Sequence, residues 1–294
     1  MDSGALSADL RIRAALREGE RLIRDATASE EARLEAELLL CHALRISRER
    51  LYQGLDEELS GGAATAYRLL VERRCEHEPT AYIVGGREFY GLEFEVTPAA
   101  LIPRPETETL VELVIGFARE RFADGHFTVV DVGAGCGTIA VALAYSLPEI
   151  RVIGIDQSEE ALVLSRRNAA RHGVAPRIEF REGDLLEPLR APVDIIAANL
   201  PYVTTADWQA LPPEIRDYEP RQALDGGPDG LREIERLLQA APANLNPGGA
   251  LFTEIGDEQG SAAAAIAREA FPSAEVDVLP DLTGRDRVLV VKPA

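Results

Sequence analysis

The sequence predicts an α/β protein, an open parallel sheet flanked by helices and entered through a β-hairpin from a small helical domain. Three observations predict it. From about residue 10 to 78, apolar residues recur at three- and four-residue steps in a background of Ala, Leu, Arg and Glu, as at Leu34, Leu38 and Cys41. From Phe127 onward, short apolar runs alternate with helical segments, the pattern of successive strand-helix-strand units. A glycine-rich turn joins the first of these runs to its helix, where sheets of this kind bind ligands.

The chain has 294 residues, 46% hydrophobic and 28% charged, enough for two domains or one large one. Its net charge of −19 argues against a general nucleic-acid binder, which needs a basic surface to displace counterions from phosphates. A protein or small-molecule partner and no direct nucleic acid are expected. Lys292 is the only lysine, so arginine supplies nearly all the basic groups. No apolar run reaches the length of a membrane span, and residues 1–20 carry arginines and acids where a signal peptide needs an apolar stretch, so no membrane association and a cytoplasmic location are expected. Cys41, Cys75 and Cys136 form no even framework, and Cys41-His42 and Cys75-Glu76-His77 lack metal-ligand spacing, so neither a disulfide scaffold nor a metal site is expected.

Taken in order, residues 1–78 read as the helical bundle. Thr27 followed by Glu30 has the form of a capping box, and Gly61-Gly62 precedes a last helix with Tyr67, Leu70 and Val71. Pro79 ends the helices. Residues 79–104 read as a hairpin linker, because Ile83-Val84, Gly85-Gly86 and the partly alternating Phe89, Leu92, Phe94 and Val96 suggest two short strands. The string Pro103-Arg104-Pro105-Glu106-Thr107-Glu108 opens a helix to about Phe122, with carboxylates in its first turn. A helix start explains most of this string, although an arginine held between two prolines is unusual for a cap alone.

The sheet region, residues 105–294, carries the candidate site. Thr128-Val129-Val130-Asp131-Val132 is a buried strand, and Gly133-Ala134-Gly135-Cys136-Gly137 turns it into the next helix. Glycines there allow a tight turn and close approach to a ligand. With Thr138 following, the spacing is not the Gly-x-Gly-x-x-Gly of a dinucleotide site, which favours a cofactor without phosphates. The strand at 151–155 ends in Asp156, where a carboxylate can accept both ribose hydroxyls or cap the helix from Ser158. The strand at 177–180 leads to Asp184 and Leu185, placed to meet an adenine amino group and cover its ring, or simply to form a Gly-Asp turn. The fourth strand, Ile195-Ile196-Ala197-Ala198, stops in Asn199-Leu200-Pro201-Tyr202. Asn199 brings an acceptor and a donor, Pro201 a fixed backbone and Tyr202 a flat ring, so together they suit a planar nitrogen-containing group; a proline-capped Asn turn would look the same. Residues 204–228 read as a long irregular loop of the lid type. A helix at 231–245, a turn at Asn246-Pro247-Gly248-Gly249, a strand at 250–255 whose end, Glu254 and Gly256, falls on the same sheet edge as the glycine turn, a helix near 259–269 and strands at 274–279 and 287–291 complete the chain.

In this order the glycine turn, Asp156, Asp184-Leu185 and the Asn-Leu-Pro-Tyr tip resemble a class I S-adenosylmethionine-dependent methyltransferase, implying a Rossmann-like seven-stranded sheet. Together with Pro103-Arg104-Pro105-Glu106-Thr107-Glu108, Asp217-Tyr218-Glu219-Pro220 and Asp286-Arg287-Val288, the chain resembles the HemK/PrmC family of protein-(glutamine-N5) methyltransferases over nearly its whole length. That family usually has Asn-Pro-Pro-Tyr where this chain has Leu200 in second place. The resemblance implies methyl transfer from S-adenosyl-L-methionine to the glutamine amide in the Gly-Gly-Gln tip of peptide chain release factors, by a protein expected to act as a monomer. Gly133, Ala134, Gly135, Cys136 and Gly137 would border the methionine part, Asp156 the ribose, and Asp184 and Leu185 the adenine. Asn199, Leu200, Pro201 and Tyr202 would hold the glutamine, with Asn199 also bordering the cofactor and Asn199, Pro201 and Tyr202 carrying the catalysis. An amide nitrogen is a poor nucleophile, so the expected work is orientation, with no Asp, Glu or His required as a base. Competing readings are an adenine-N6 methyltransferase acting on nucleic acid and a cofactor-binding module without turnover.

Overall fold

The computed structural model describes residues 11–122 and 125–293. The first ten residues, on which half of the signal-peptide reading and the expected start of the bundle at Leu10 rest, lie outside the described residues. The chain divides into two compact units, one with described residues up to Gly85 together with Pro213–Tyr218, the other with Gly86–Pro212 and Glu219 onward.

The first unit is helical, with α1 (Ile12–Thr27), α2 (Ala32–Leu44), α3 (Arg48–Gln53), α4 (Gly61–Cys75) and α5 (Thr80–Val84). Ile12, Leu16 and Ile23 of α1 meet Leu39 and Leu40 of α2 in one buried cluster, each such side chain contributing roughly 1.5–3 kcal/mol of transfer free energy. Gly19 lets α4 approach α1: a Cβ there would stand 2.0 Å from the Tyr67 hydroxyl oxygen. Ser47 and Ser60 cap α3 and α4 by accepting from Arg50 N and Ala63 N. Thr27 does not open a helix as its spacing with Glu30 suggested. It closes α1, its hydroxyl donating to Ile23 O at 2.8 Å and accepting from Ser29 N at 3.3 Å, so it stands at a helix end and caps no helix start. The buried Arg74 of α4 pairs with Glu35 at 3.0 Å and with Glu214 at 3.5 Å, and Tyr218 donates to Glu76 O at 2.8 Å.

The second unit opens with a hairpin, β1 (Gly86–Phe89) and β2 (Leu92–Glu95), and continues α6 (Thr107–Arg121), β3 (Thr128–Val132), α7 (Thr138–Ser146), β4 (Arg151–Asp156), α8 (Glu159–Arg171), β5 (Ile178–Glu182) and β6 (Val193–Ala198). Then come α9 (Thr205–Ala210), the short α10 (Pro213–Arg216) that belongs to the first unit, α11 (Arg232–Ala240), β7 (Leu245–Glu254), α12 (Gly260–Ala270), β8 (Glu275–Pro280) and β9 (Asp286–Lys292). The strands of the large sheet run β5-β4-β3-β6-β7-β9-β8, parallel as far as β7, with β9 antiparallel to both β7 and β8. Alternate residues face opposite layers: Val129 and Ile195 join the cluster under α6 and α7, Val130, Val132 and Ile196 the cluster under α11 and α12.

The expected hairpin is present, but it begins later. Ile83 and Val84 lie in α5, which starts behind Pro79 and stops at Gly85 in a left-handed conformation (φ 76°), so Ile83, buried, and Val84, half-buried, pack from a helix and not from a strand. The hairpin itself packs Phe89, Leu92 and Phe94 into the core of the second unit and is not a free linker. The Asn246-Pro247-Gly248-Gly249 turn is absorbed into β7 as an irregularity, the pairing jumping from Val193 with Leu245 to Ile195 with Ala250. The helix expected at 231–245 is accordingly shorter, a 3-10 turn at Ala241–Ala243 ending it.

Candidate active site

The topology decides where the chemistry-bearing turns meet. Chain progression runs β3, β4, β5 to one side and then returns to place β6 on the other side of β3, creating a switch point between β3 and β6. Val132 is in register with Ala198, so the next residues on the two strands, Gly133 and Asn199, leave the sheet side by side. Gly133 has φ 76°, and a Cβ there would stand 3.2 Å from Leu200 Cδ2 and 3.4 Å from Asn199 O. The glycine turn is thus shaped by the Asn-Leu-Pro-Tyr tip beside it.

A cavity of about 740 Å³ opens at this switch point, within the range usual for small-molecule sites. Gly133, Ala134, Gly135 and Cys136 wall one side of it, Asp156, Gln157, Gly183 and Leu185 another, and Asn199, Leu200 and Pro201 a third. Gly137 is not on the wall. It starts α7 with φ 85° and packs on Ser165 of α8, where a Cβ would come to 3.1 Å, so its role is to seat the helix.

Asp156 stands at the tip of β4. One carboxylate oxygen accepts from Gly135 N at 2.8 Å and the other from Ser158 N at 2.9 Å. The carboxylate lines the cavity with acceptor capacity to spare and braces the turn before α8, whose cap is Ser158, accepting from Ala161 N, and not Asp156. Burial raises its pKa, against the lowering effect of the backbone N–H groups.

Asp184 departs from expectation. Gln157 Nε2 donates to one of its oxygens at 2.8 Å and Arg236 of α11 pairs with the other, which keeps the carboxyl below its ordinary range. Its flanking residues Gly183 and Leu185 line the cavity but Asp184 does not, because an arginine that sequence spacing could not place draws the carboxylate aside. Leu185 reaches the wall from a left-handed backbone (φ 46°). Tyr202 departs as well: its ring packs on the α11 and α12 cluster, and its hydroxyl donates to Glu254 Oε1 at 2.9 Å, while the residues before it form the wall.

Residues outside the expected set complete the site. Glu254 is fully buried at the end of β7 and accepts from Tyr202 and, at 2.6 Å, from Thr107 Oγ1. Thr107 in turn accepts from Asn199 Nδ2 at 2.9 Å. Glu219, also buried, accepts from Ile102 N at 3.0 Å and pairs with Arg104, which explains the arginine held between two prolines. Thr107, Arg104 and Glu219 all stand in strings that the sequence singled out, and Glu254 was placed at the right sheet edge; what it did not reveal was the pairing.

These residues fit S-adenosylmethionine. The glycine turn offers backbone without side chains, a carboxylate with free acceptor capacity stands on the next strand, and Leu185 gives an apolar wall for a ring. The arginines of the described lining, Arg104, Arg221 and Arg232, are paired with Glu219, Asp225 and Glu233, which leaves no unpaired cation there for a phosphate. Sheet order, glycine turn and strand-tip acid together define a class I methyltransferase fold, and the chain uses S-adenosylmethionine.

The comparisons with known proteins narrow this. The family described as PrmC N-terminal domain matches residues 14–85, and the family described as methyltransferase domain matches residues 123–274. The chain is 44% identical over 278 residues to the release factor glutamine methyltransferase of Moorella thermoacetica, covering 94% of this chain and 96% of that protein. It is 49% identical over 228 residues to the protein of that name from Geobacter sulfurreducens, covering 77% and 78%. A solved methyltransferase from Pyrococcus furiosus shares the fold, with a TM-score of 0.50 and 20% identity over 69% of this chain and 90% of that one. The chain belongs to the release factor glutamine methyltransferase family.

Proposed function

We propose that the protein transfers a methyl group from S-adenosylmethionine to the side-chain amide nitrogen of the glutamine in the Gly-Gly-Gln tip of a peptide chain release factor. The observation that carries the reading is the state of Asn199. Its Nδ2 is spent on Thr107, while no described residue donates to its Oδ1, so a residue on the cavity wall beside the glycine turn holds an acceptor in reserve.

When bound, S-adenosylmethionine supplies a methyl group on a sulfonium, a ready electrophile. The chain's residues have to present a weak nucleophile to it. Asn199 Oδ1 and the backbone carbonyl that precedes Pro201 accept the two hydrogens of the glutamine amide, leaving the face of its nitrogen directed at the methyl group. Pro201 keeps that carbonyl in place through its restricted backbone. Tyr202 holds the segment from behind through Glu254. Acceptors on the amide hydrogens become more favourable as positive charge develops on nitrogen, which is where transition-state stabilisation arises. The buried carboxylates Glu254 and Glu219 are both engaged, the first by Thr107 and Tyr202 and the second by Ile102 N and Arg104, so the proton leaves to water after transfer. Gly133, Ala134, Gly135 and Cys136 border the methionine part, Asp156 takes the ribose hydroxyls and Leu185 covers the adenine. Asp184 acts one step removed, by holding Gln157 on the wall. The helical unit serves as the docking surface for the release factor, and the enzyme works as a cytoplasmic monomer.

The test incubates the protein and methyl-labelled S-adenosylmethionine with a release factor, with the same factor carrying Gln→Ala in its Gly-Gly-Gln tip, and with ribosomal RNA. Label confined to the unaltered factor is expected; label on RNA or on the Ala variant overturns the reading. Asn199→Ala should abolish transfer while cofactor affinity, measured by calorimetry, stays within about twofold. Equal loss of both would assign Asn199 to the cofactor alone.

A further inference from the structure

We infer that Glu254 and Thr107 are positioning residues that fix which way round the Asn199 carboxamide sits, and thereby make it an acceptor towards the substrate. The inference rests on the proposed reaction and deepens it. An asparagine carboxamide is nearly symmetric in shape and opposite in chemistry at its two ends, so a site that needs the oxygen outward has to forbid the flipped form.

The structure forbids it through a chain of single options. An ionised Glu254 is acceptor-only, and its two oxygens take the hydroxyl protons of Thr107 at 2.6 Å and Tyr202 at 2.9 Å. Thr107 has one hydroxyl proton. Once that proton points at Glu254, the Thr107 oxygen faces Asn199 with lone pairs only, and the 2.9 Å contact is favourable only if Asn199 offers its NH₂ end. The flipped carboxamide would oppose two oxygens at hydrogen-bond distance with no proton between them. Its NH₂ group would then face the substrate amide, donor against donor. Thr107 is 3% exposed and Glu254 0%, so bulk water is not at hand to relieve either mismatch.

The pairing is long-range in sequence, from the first turn of α6 to the end of β7, which is why neither residue suggests the role by itself. It also accounts for a carboxylate in so buried a place: its orientation-setting effect requires an acceptor that never donates. The groups facing Glu254 are Thr107, Tyr202, Arg287 and Glu106; burial raises its pKa above the ordinary carboxylate value, and Arg287 opposes that. Protonated Glu254 could donate to Thr107, free the Thr107 proton for Asn199 Oδ1, and so permit the flipped form. Activity should therefore fall on the acid side as Glu254 takes up its proton.

The experiment compares wild type, Thr107→Val, Thr107→Ser and Glu254→Gln in full-length protein, with kcat and KM for the release factor and the dissociation constant of S-adenosylmethionine measured for each. Valine keeps the shape and removes the relay; serine restores the hydroxyl. Glutamine keeps the shape but can donate, so both Asn199 orientations become available. Expected are a fall in kcat of about 10-fold or more for Thr107→Val and for Glu254→Gln with cofactor affinity within about twofold, and recovery to within about threefold of wild type for Thr107→Ser. Glu254→Gln should also lose the acid limb of the wild-type kcat profile. Circular dichroism confirms that each variant is folded. The inference is overturned if folded Thr107→Val keeps wild-type kcat, if Thr107→Ser is as impaired as Thr107→Val, or if folded Glu254→Gln keeps both kcat and the acid limb. A wild-type enzyme that leaves the release factor unlabelled overturns the proposed reaction itself, a separate result.

Discussion

Gly226 offers a test of whether the Pro201-Tyr202 backbone has to be where it is. The residue is buried, and its amide donates to Val203 O at 2.8 Å, pinning the loop after α10 against the segment that follows Asn199. A Cβ at Gly226 would stand 2.5 Å from Pro201 O, 2.7 Å from Gly230 O and 2.9 Å from Tyr202 Cα, all main-chain atoms. An ordinary van der Waals contact begins near 3.4 Å, so Gly226→Ala has to displace the Pro201 carbonyl or the loop by roughly half an ångström to one ångström. No rotamer change can absorb this. Overpacking of that kind costs about 1–3 kcal/mol of stability, and a misplacement approaching 1 Å in a substrate-positioning element lowers rate by up to about 100-fold. The assay pairs thermal unfolding with kcat on a release factor, using Gly116→Ala as the control. Gly116 lies within α6 with nothing near its Cβ position, so alanine there should be neutral or stabilising. Gly226→Ala is expected to lose both stability and kcat with cofactor affinity largely kept. A variant that loses stability yet turns over like wild type refutes the reasoning, because it would show that the Pro201 segment can move without consequence for catalysis.

Asp156→Ala should weaken S-adenosylmethionine binding by about 10- to 100-fold, the loss expected for hydrogen bonds to a charged acceptor, and an unchanged dissociation constant by calorimetry would remove Asp156 from the ribose. Asp131 tests a different property: it is fully buried on β3, accepts from Ala140 N at 2.9 Å through one oxygen, has no described partner on the other, and burial pushes its pKa up to about 7. The folded state then keeps the proton up to about pH 7 while the unfolded chain releases it near pH 4, so wild-type stability falls as pH rises between the two, and Asp131→Asn, which cannot ionise, escapes that fall. The stability advantage of Asp131→Asn over wild type should grow by roughly 1–3 kcal/mol from about pH 5 to about pH 8, and a gap independent of pH would contradict the sign.

Much of the site was legible because its parts are local. A glycine turn between strand and helix, an acid at the next strand tip and a polar tetrad closing an apolar run each carry their meaning within a few residues, and strand-helix alternation places all three at one edge of a sheet. The elements misread were those where local pattern and tertiary use diverge. Ile83-Val84 looks like strand because its apolar residues are adjacent, yet Pro79 and Gly85 bracket a helix that buries Ile83 and leaves Val84 half-buried. Thr27 has capping-box spacing, but it closes the helix behind it. Asp184 has the right place in the chain, and Arg236, 52 residues further on, decides where its carboxylate goes.

The sequence by itself pointed to the class of reaction, since residue types set what can be donated, accepted or approached: a glycine turn suits close contact with a ligand, a carboxylate suits hydroxyls, and an asparagine with a proline suits an amide. Only the tertiary structure decided how the asparagine is used. Which end of its carboxamide faces outward depends on a threonine 92 residues earlier in the chain and a glutamate 147 residues beyond that threonine, brought together because α6 and β7 pack in one unit. Hydrogen-bond polarity is a property of partners in space, and no spacing along the chain encodes it.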